Sequence, residues 1–396
     1  MTFSFLLLTF KLFILTNSDS TNLILNFSII LWIIIALFCI SFLVQLFYYI
    51  RFFSLLIRYK PTEFNSNKNA VSVIICARNE AENLINFLPG ILEQDYPDFE
   101  VIVVNDRSED NTEEILSSFK KKYHNLYSTR LTELHTRQRG KKLSLVLGIK
   151  AAKNECLLFT DADCSVDSKN WISEMQKNFL INKEIVLGYG PFINKKGLLN
   201  KIVRTETFMV AFQYLNYALA GTPYMGVGRN MAYRKPLFFS GNGFARHYHL
   251  ASGDDDLFVN ENATCDNTRI EISFDSFTRS IPPGNLKEWL SMKKRHYTTA
   301  KYYSLRSKVL LSVELFTRVI FYLSFFILLF SDFNYLWLLP VFLVRLITQL
   351  ILFKLSMKRL NENNLLLYSL AYDFLHPLVG SLLYLQNNLS KKNKWK

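Results

Sequence analysis

The sequence has 396 residues, of which 50% are hydrophobic and 15% aromatic, and its 46 Lys and Arg outnumber its 33 Asp and Glu to give a net charge of +13. This apolar content, together with only 14 Gly and 10 Pro, excludes an intrinsically disordered or collagen-like chain. The positive charge favours contact with anionic lipid or an anionic substrate, and nucleic acid is not an expected partner because the sequence has no nucleic-acid recognition module.

An apolar segment near the N-terminus predicts a transmembrane helix. No charged residue occurs from Ser20 to Ile50, and Phe27–Ile50 is longer than the roughly 20 apolar residues that cross the hydrocarbon layer. The preceding segment, Thr2–Thr16, is shorter and contains Lys11, so it is compatible with a first span, an interfacial helix or a signal-like segment. We therefore expect residues 1–60 to form an N-terminal membrane segment of one or two helices.

The middle of the chain alternates between strand and helix patterns. Continuous apolar runs, typical of buried parallel strands, occur at Val71–Ala77, Phe99–Val104 and Glu155–Thr160. Helical patterns lie between them, at Glu80–Leu92 after the first run and at Asn111–Lys121 and Lys142–Ala152 after the second. This order predicts an α/β fold with a doubly wound, mostly parallel sheet. Polar or acidic residues follow each strand, and in such sheets ligands bind beyond the carboxyl ends of the strands.

Two acidic clusters are candidates for the chemistry. Asp161 and Asp163 flank one small residue directly after a predicted strand, where two carboxylates can reach one hard cation that also binds a nucleotide diphosphate. Asp254, Asp255 and Asp256 are adjacent, and their mutual repulsion raises the pKa of at least one of them toward the range of a general base.

The C-terminal part returns to the membrane. A basic amphipathic helix is predicted within 285–308, and three apolar blocks follow at Val309–Phe330, Tyr335–Leu355 and Leu365–Leu385. We expect two or three spans within 309–390, since Asp373, His376 and Pro377 interrupt the last block.

The charge that flanks the spans predicts their orientation. Basic residues stand where the predicted spans meet the middle of the chain, at Arg51, Arg58, Lys60, Arg306 and Lys308. By the positive-inside rule, residues 61–284 face the cytoplasm, which also fits five cysteines without C-x-x-C spacing. A third C-terminal span would place the basic tail Lys391–Lys396 outside, against that rule.

With these residues located, the sequence resembles the membrane-anchored family 2 glycosyltransferases with a GT-A fold, the group that includes hyaluronan, chitin and cellulose synthases. The likeness covers about residues 70–305. It rests on Lys141 with Gly148 and on a series of motifs in the family's order, namely VSVIICARNEAENL, VVNDRSEDNT, FTDADCSV, GVGRNMAYRK, SGDDDLF and KKRHYTTAKYYS.

The resemblance implies roles for individual residues. It assigns catalysis to Asp255 as general base and to Arg295, which matches the arginine of the family's QxxRW signature. It assigns a divalent metal, Mg²⁺ or Mn²⁺, to Asp163 and Asp161. Nucleotide-sugar contacts would come from Ala77, Arg78, Asn79, Glu80, Asp106, Lys141, Asp161 and Asn230, and acceptor contacts from Asp254, His296 and Tyr297.

The function expected from this resemblance is that of an inverting glycosyltransferase, with a nucleotide-diphospho-sugar donor (a UDP-sugar by default) and a lipid-linked or glycan acceptor at the cytoplasmic membrane. Met292 and His296 replace the glutamine and tryptophan of the signature, which puts processive synthesis in doubt. The alternatives are a processive polysaccharide synthase and a non-catalytic membrane protein that binds nucleotide-sugar or glycan. The sequence leaves the sugar, the acceptor and the oligomeric state open.

Overall fold

The computed structural model describes residues 20–61, 63–132, 140–331 and 333–389, with side chains between residues 29 and 380. The predicted Thr2–Thr16 segment and the basic tail lie outside the described residues.

Within these residues the chain forms one seven-stranded sheet and one two-stranded sheet. The nine strands, in chain order, are β1 Val71–Ala77, β2 Phe99–Asp106, β3 Leu126–Leu131, β4 Cys156–Asp161, β5 Cys164–Val166, β6 Ile185–Gly188, β7 Met231–Arg234, β8 Thr268–Glu271 and β9 Thr278–Ser280. The large sheet has the order β3-β2-β1-β4-β7-β6-β8, and β5 pairs with β9. Only β7 runs against its neighbours in the large sheet as described, so the sheet is mostly parallel, as predicted.

Helices stand between most of the strands and also precede and follow the sheets. They are, in chain order, α1 Ser20–Tyr48, α2 Leu55–Arg58, α3 Ala81–Leu92, α4 Thr112–Lys122, α5 Lys142–Ala151, α6 Trp171–Gln176, α7 Leu198–Leu219, α8 Lys235–Ser240, α9 Asp256–Asn262, α10 Leu286–His296, α11 Leu305–Leu329, α12 Tyr335–Arg359 and α13 Leu366–Leu389. A π-helical turn, Tyr49–Phe53, follows α1.

Both faces of the central strands are covered, which explains their continuous apolar sequences. Val71, Val73 and Ile75 of β1 belong to a core cluster with residues of α3 and α6. On the other face α5 approaches β1 so closely that a Cβ at Gly148 would lie 2.6 Å from Ile74 Cγ2. The close approach places the N-terminal end of α5, with Lys141 as its N-cap, at the carboxyl edge of the sheet.

The predicted strands are confirmed with small changes. β1 has the predicted bounds, β2 continues two residues further to Asp106, and β4 is shifted by one residue to end at Asp161. Asp106 and Asp161 are therefore the last residues of their strands. The antiparallel strand β7, which is only four residues long, was not predicted from the sequence, and neither were β3, β5, β6, β8 and β9.

Three helical segments in the described part of the chain are long and apolar enough to cross a membrane, at Ile29–Arg58, Leu305–Leu329 and Tyr335–Arg359. The third predicted C-terminal block forms α13, which continues through Pro377 and is not among these three. α13 packs against α7 and α10.

Of the described residues, 20–48 and 312–349 form one compact unit, and 49–311 with 350–389 form a second. In the first unit the apolar core comprises Phe38, Phe321, Phe325, Leu328 and Leu338. The second unit contains both sheets.

The first unit also contains a buried polar network. The Arg345 guanidinium donates to Gln45 Oε1 at 3.2 Å, to Tyr322 Oη at 3.0 Å and to Gln349 Oε1 at 3.1 Å. Gln45 Nε2 in turn donates to Thr317 Oγ1 at 2.9 Å. Polar groups inside a membrane need such internal partners, so the network fixes α1, α11 and α12 against one another.

Candidate functional site

The loop after β1 is fixed by hydrogen bonds to the segment after β2. Asn79 has a positive φ of 56°, its backbone N–H donates to Ser108 Oγ at 2.9 Å, and its Oδ1 accepts from the Glu109 N–H at 2.8 Å. Burial raises the pKa of Glu80 to about 7, with a contribution from the charges of Asp163 and Asp161. Ala77 is fully buried, and Arg78 stands between it and Asn79 at the strand tip. These residues therefore lie at the same edge of the sheet as the acidic pair.

Asp106, at the end of β2, has the features of a ligand-binding carboxylate. It has no exposed surface, and its Oδ1 accepts from Arg107 Nε at 2.7 Å. Its Oδ2 is buried and has no hydrogen-bond partner among the described residues. A buried acceptor without a donor is costly, so this oxygen is suited to a donor from a bound molecule, such as a ring N–H or a hydroxyl.

Asp161 and Asp163 converge at the end of β4, and Lys141 forms an ion pair with Asp161. Asp163 Oδ2 accepts from Ser280 Oγ of β9 at 2.8 Å. Burial raises the pKa of Asp161, but the Lys141 ammonium outweighs it and holds that pKa below its ordinary value. Burial and the Asp161 charge together raise the pKa of Asp163. Two carboxyl groups thus stand beside one ammonium group, that of Lys141.

The donor set at this point fits a divalent cation. One carboxylate oxygen each from Asp161 and Asp163, and Cys164 Sγ, lie within 4.8 Å of one another. Carboxylate oxygens are the donors that Mg²⁺ and Mn²⁺ prefer, whereas a thiol is a soft donor, so the two aspartates are the residues that could hold the ion.

The three adjacent acids make different contacts. Asp255 is the N-cap of α9, and its two oxygens accept from the backbone N–H groups of Asp256 and Gly228, each at 2.8 Å. Asp256 is buried and accepts from Thr299 Oγ1 and Tyr303 Oη. Asp254 makes neither set of contacts and lines a narrow crevice with Asp255. Burial, followed by the charges of Asp254 and Asp256, raises the pKa of Asp255 to about 7.

Lys141 connects the two acidic clusters. Besides its ion pair with Asp161, it lines the crevice that Asp254 and Asp255 line. Burial lowers the pKa of Lys141, but the Asp161 and Asp254 carboxylates outweigh this effect and raise it above its ordinary value. The two clusters thus lie on either side of one lysine rather than in separate cavities.

The helix α10 places the Arg295 guanidinium near the acidic pair of Asp161 and Asp163. Glu206 of α7 holds α10 through an ion pair with Lys293 and through a hydrogen bond from Trp289 Nε1 at 2.8 Å. Arg295, in the last turn of α10, acts on Asp161, since its charge is one of those that lower the pKa of that carboxyl. Arg295 therefore adds one positive charge near the acidic pair.

The two predicted acceptor-binding residues after Arg295 differ in their surroundings. His296 is exposed at the end of α10. The Tyr297 hydroxyl lies 3.3 Å from His376 Nε2 of α13, and Lys293 Nζ lies 5.2 Å from the centre of its ring.

Asn230 has a different environment from the one expected of a pocket residue. It has no exposed surface, and its Nδ2 donates to the backbone carbonyls of Tyr189 at 2.7 Å and Ser276 at 2.8 Å. Its Oδ1 accepts from Trp171 Nε1 at 3.1 Å. With its amide bound by protein groups on all sides, Asn230 holds the loop in place and does not line the crevice.

Sequence reasoning missed several residues that build the site. Lys142, next to Lys141, donates from its Nζ to the carbonyls of His247 at 2.5 Å and Leu250 at 3.2 Å, and so holds the segment that leads to Asp254. Glu206 and Arg229 were missed as well. Arg229 was within reach, because it lies in the GVGRNMAYRK motif beside Asn230. No local signal marks Glu206, which lies in the middle of a helix far from the motifs.

Comparison with known proteins identifies similar glycosyltransferases. Residues 72–239 match the model of glycosyl transferase family 2. The poly-β-1,6-N-acetyl-D-glucosamine synthase of Staphylococcus epidermidis is 33% identical over 139 residues, which are 34% of this chain and 32% of that protein. The glycosyltransferase AglE of Haloferax volcanii is 38% identical over 97 residues, 24% of this chain and 31% of that protein. The chain thus matches about a third of the length of these curated relatives.

Among solved structures, the chain is similar to the mannosyltransferase PcManGT of Pyrobaculum calidifontis, which was solved in complex with GDP-Man and Mn²⁺. The TM-score is 0.54 at 19% identity, and the alignment covers 87% of this chain and 98% of that one. The mostly parallel sheet with its helices is therefore a GT-A-like fold.

Proposed function

From the premise that the chain belongs to glycosyl transferase family 2 through residues 72–239, we propose that it transfers a sugar from a nucleotide-diphospho-sugar to a hydroxyl group, with inversion at the anomeric carbon. The observation that carries the proposal is the position of Lys141 between Asp161 and the crevice of Asp254 and Asp255. That arrangement supports a leaving diphosphate on one side and a base on the other. GDP-Man and Mn²⁺ in the structural neighbour favour a donor and ion of these classes.

In the proposed mechanism Asp255 accepts the proton of the acceptor hydroxyl. The hydroxyl oxygen forms the new bond to the anomeric carbon while the bond from that carbon to the diphosphate oxygen breaks, and the nucleoside diphosphate departs with the bonding electrons. A pKa of about 7 suits a general base at neutral pH. Asp106 Oδ2, which has no hydrogen-bond partner among the described residues, would accept a hydrogen bond from the nucleobase or the ribose of the donor. Asp254, His296 and Tyr297 would border the acceptor.

Positive charge would stabilise the diphosphate. Arg295 and Lys141 are the cations of this chain that the proposal assigns to it. A divalent cation held by Asp161 and Asp163 would offset a further part of the negative charge that develops on the leaving group.

We also propose that the acceptor is lipid-linked or lies at the membrane and that the sheets face the cytoplasm. Three candidate spans in the described residues, one before the sheets and two after them, would return the chain to the cytoplasmic side. The basic tail Lys391–Lys396 would then lie inside, as the positive-inside rule requires. The network around Arg345 in the first unit favours transfer of a single sugar over processive synthesis. Its polar groups are bound to one another, whereas a channel for a growing glycan would need polar groups that face an open pore within the membrane.

The test is release of nucleoside diphosphate by the full chain in lipid nanodiscs, with UDP- and GDP-sugars, Mn²⁺ or Mg²⁺, and membrane lipid extract. We expect turnover with one donor, an increase on addition of the lipid extract, and a product extended by one sugar. A ladder of products would identify a processive synthase. Nucleotide-sugar binding without turnover under any condition would identify a binding protein.

A further inference from the structure

Arg229 has a charged side chain that no residue of the described chain neutralises by direct contact. Its guanidinium lies over the Phe192 ring, with Cζ 4.3 Å from the ring centre. Its Nε is buried and has no hydrogen-bond acceptor among the described residues, and its guanidinium makes no ion pair with them. A guanidinium N–H that is buried without an acceptor costs stability unless a bound molecule provides one.

The backbone beside Arg229 is shaped to leave room for it. Gly190 follows β6, and a Cβ at this position would lie 2.7 Å from Arg229 Cγ and 3.0 Å from its Cδ and Nε. These atoms belong to the base and middle of the Arg229 side chain. Because the guanidinium at its end packs on the Phe192 ring, they have little freedom to move away. Glycine at position 190 therefore permits the observed placement of Arg229.

The guanidinium acts on the acidic pair at the end of β4. Its charge is among those that hold the pKa of Asp161 down, after burial and the larger effect of Lys141. It also offsets part of the increase that burial and Asp161 cause in the pKa of Asp163. The geometry agrees, because Phe192, which lies under the guanidinium, is paired with Ser280, and Ser280 Oγ donates to Asp163 Oδ2 at 2.8 Å. Arg229 forms an ion pair with neither carboxylate.

We propose that Arg229 binds the diphosphate of the donor, as a contact in addition to Lys141 and Arg295, and that glycine is required at position 190 to leave space for the Arg229 side chain. The inference rests on the proposed function. A guanidinium offers several N–H donors in one plane, which matches the oxygens of a phosphate group, and Asp161 and Asp163 would hold a cation that neutralises the same diphosphate. The unsatisfied Nε then receives a phosphate oxygen as its acceptor.

The experiment compares nucleotides that differ only in the second phosphate. Titration calorimetry with the full chain in nanodiscs, in the presence of Mn²⁺, measures the affinity for UDP against UMP and for GDP against GMP. For the nucleotide that the wild-type chain binds, we expect Arg229→Gln to weaken diphosphate binding by about tenfold or more and to leave monophosphate binding within about twofold, because only the diphosphate loses a charge-assisted hydrogen bond. Arg246→Gln, at an exposed arginine, is the matched control and should bind both nucleotides as the wild type does.

Gly190→Ala provides an independent variant, since it leaves Arg229 in the chain but removes its space. We expect the same selective loss of diphosphate affinity, with the thermal unfolding temperature showing that the protein is folded. Arg229→Lys should recover part of the lost affinity, because the charge returns without the planar donor group.

Two kinds of failure can be told apart. If the wild type binds the diphosphate more tightly than the monophosphate and Arg229→Gln shows the same preference, the role of Arg229 is refuted while the proposed function stands. If Arg229→Gln loses transfer but keeps the wild-type affinity for the diphosphate, the role in diphosphate binding is also refuted, and Arg229 would instead act on the acceptor. If the wild type binds none of the nucleotides, the proposed function fails and the inference fails with it.

Discussion

Asp255 Oδ2 accepts a hydrogen bond of 2.8 Å from the backbone N–H of Gly228, and this bond joins the acidic cluster to the loop that carries Arg229 and Asn230. Its other oxygen caps α9. The carboxylate is therefore fixed in orientation by two backbone groups while it borders the crevice. A base that is held in this way needs no rearrangement before it accepts a proton.

Replacement of this carboxylate should separate binding from chemistry. Asp255→Asn removes the basic group but keeps the size of the side chain, so we expect transfer to fall by about a hundredfold or more, the typical contribution of general-base catalysis. Affinity for the nucleoside diphosphate should change little. Transfer assays and calorimetry on the same preparation measure the two quantities, and turnover at the wild-type rate would exclude Asp255 as the base.

The same carboxylate predicts a pH dependence of the rate. Because its pKa is raised to about 7, kcat/KM should rise as the pH increases through 7 and reach a plateau near pH 8. The charges of Asp254 and Asp256 contribute to this increase, and the Lys142 ammonium, whose own pKa is lowered to about 8 by burial, also lies near these acids. A rate that is level between pH 5.5 and 8 would contradict the assignment.

Stability should respond to pH in the opposite direction. A carboxyl whose pKa is higher in the folded state than its ordinary 3.8 is easier to accommodate when protonated, so the wild-type protein loses stability as the pH rises from about 4 to about 7. Asp255→Asn lacks this ionisation. The unfolding temperature of the variant minus that of the wild type should increase over this interval, as measured by differential scanning fluorimetry without added metal. A constant difference would show that the pKa is not raised.

The metal assignment makes a prediction that does not depend on turnover. Asp163→Asn should weaken Mn²⁺ binding, measured by electron paramagnetic resonance in the absence of nucleotide, by about tenfold or more, because one of two anionic ligands is lost. Asp167→Asn is the matched control, since Asp167 pairs with Arg279 at the surface and not with the acidic pair. Equal Mn²⁺ affinity in the two variants would refute the role of Asp163.

The buried contact between α7 and α10 should be important for stability and for the position of Arg295. Glu206→Gln leaves the Lys293 ammonium buried without its partner, which typically costs about 3–5 kcal/mol. We expect a lower unfolding temperature and a lower kcat/KM. The double variant Glu206→Gln with Lys293→Met also removes the buried ammonium group, so it should regain most of the lost free energy of unfolding. A single variant that unfolds at the wild-type temperature would show that the pair does not hold α10.

How much could be predicted from the sequence differs between the fold and the site. The strands β1, β2 and β4 were predictable because each is buried on both faces and is therefore continuously apolar. The acidic pair was predictable because it lies at the end of such a strand. The short antiparallel β7 was not, since four residues carry too little periodicity to distinguish a strand.

The sequence by itself determined the strands β1, β2 and β4 with the helices between them, the apolar segments and the acidic motifs, because burial and chain direction leave local patterns. Only the tertiary structure decided what each polar side chain does. Asn230 and Arg229 are neighbours in one motif, yet one is enclosed by Tyr189, Ser276 and Trp171 while the other keeps an unsatisfied donor. Hydrogen bonds of this kind join residues that are far apart in the chain, and no local pattern records which distant atom will lie within 3 Å.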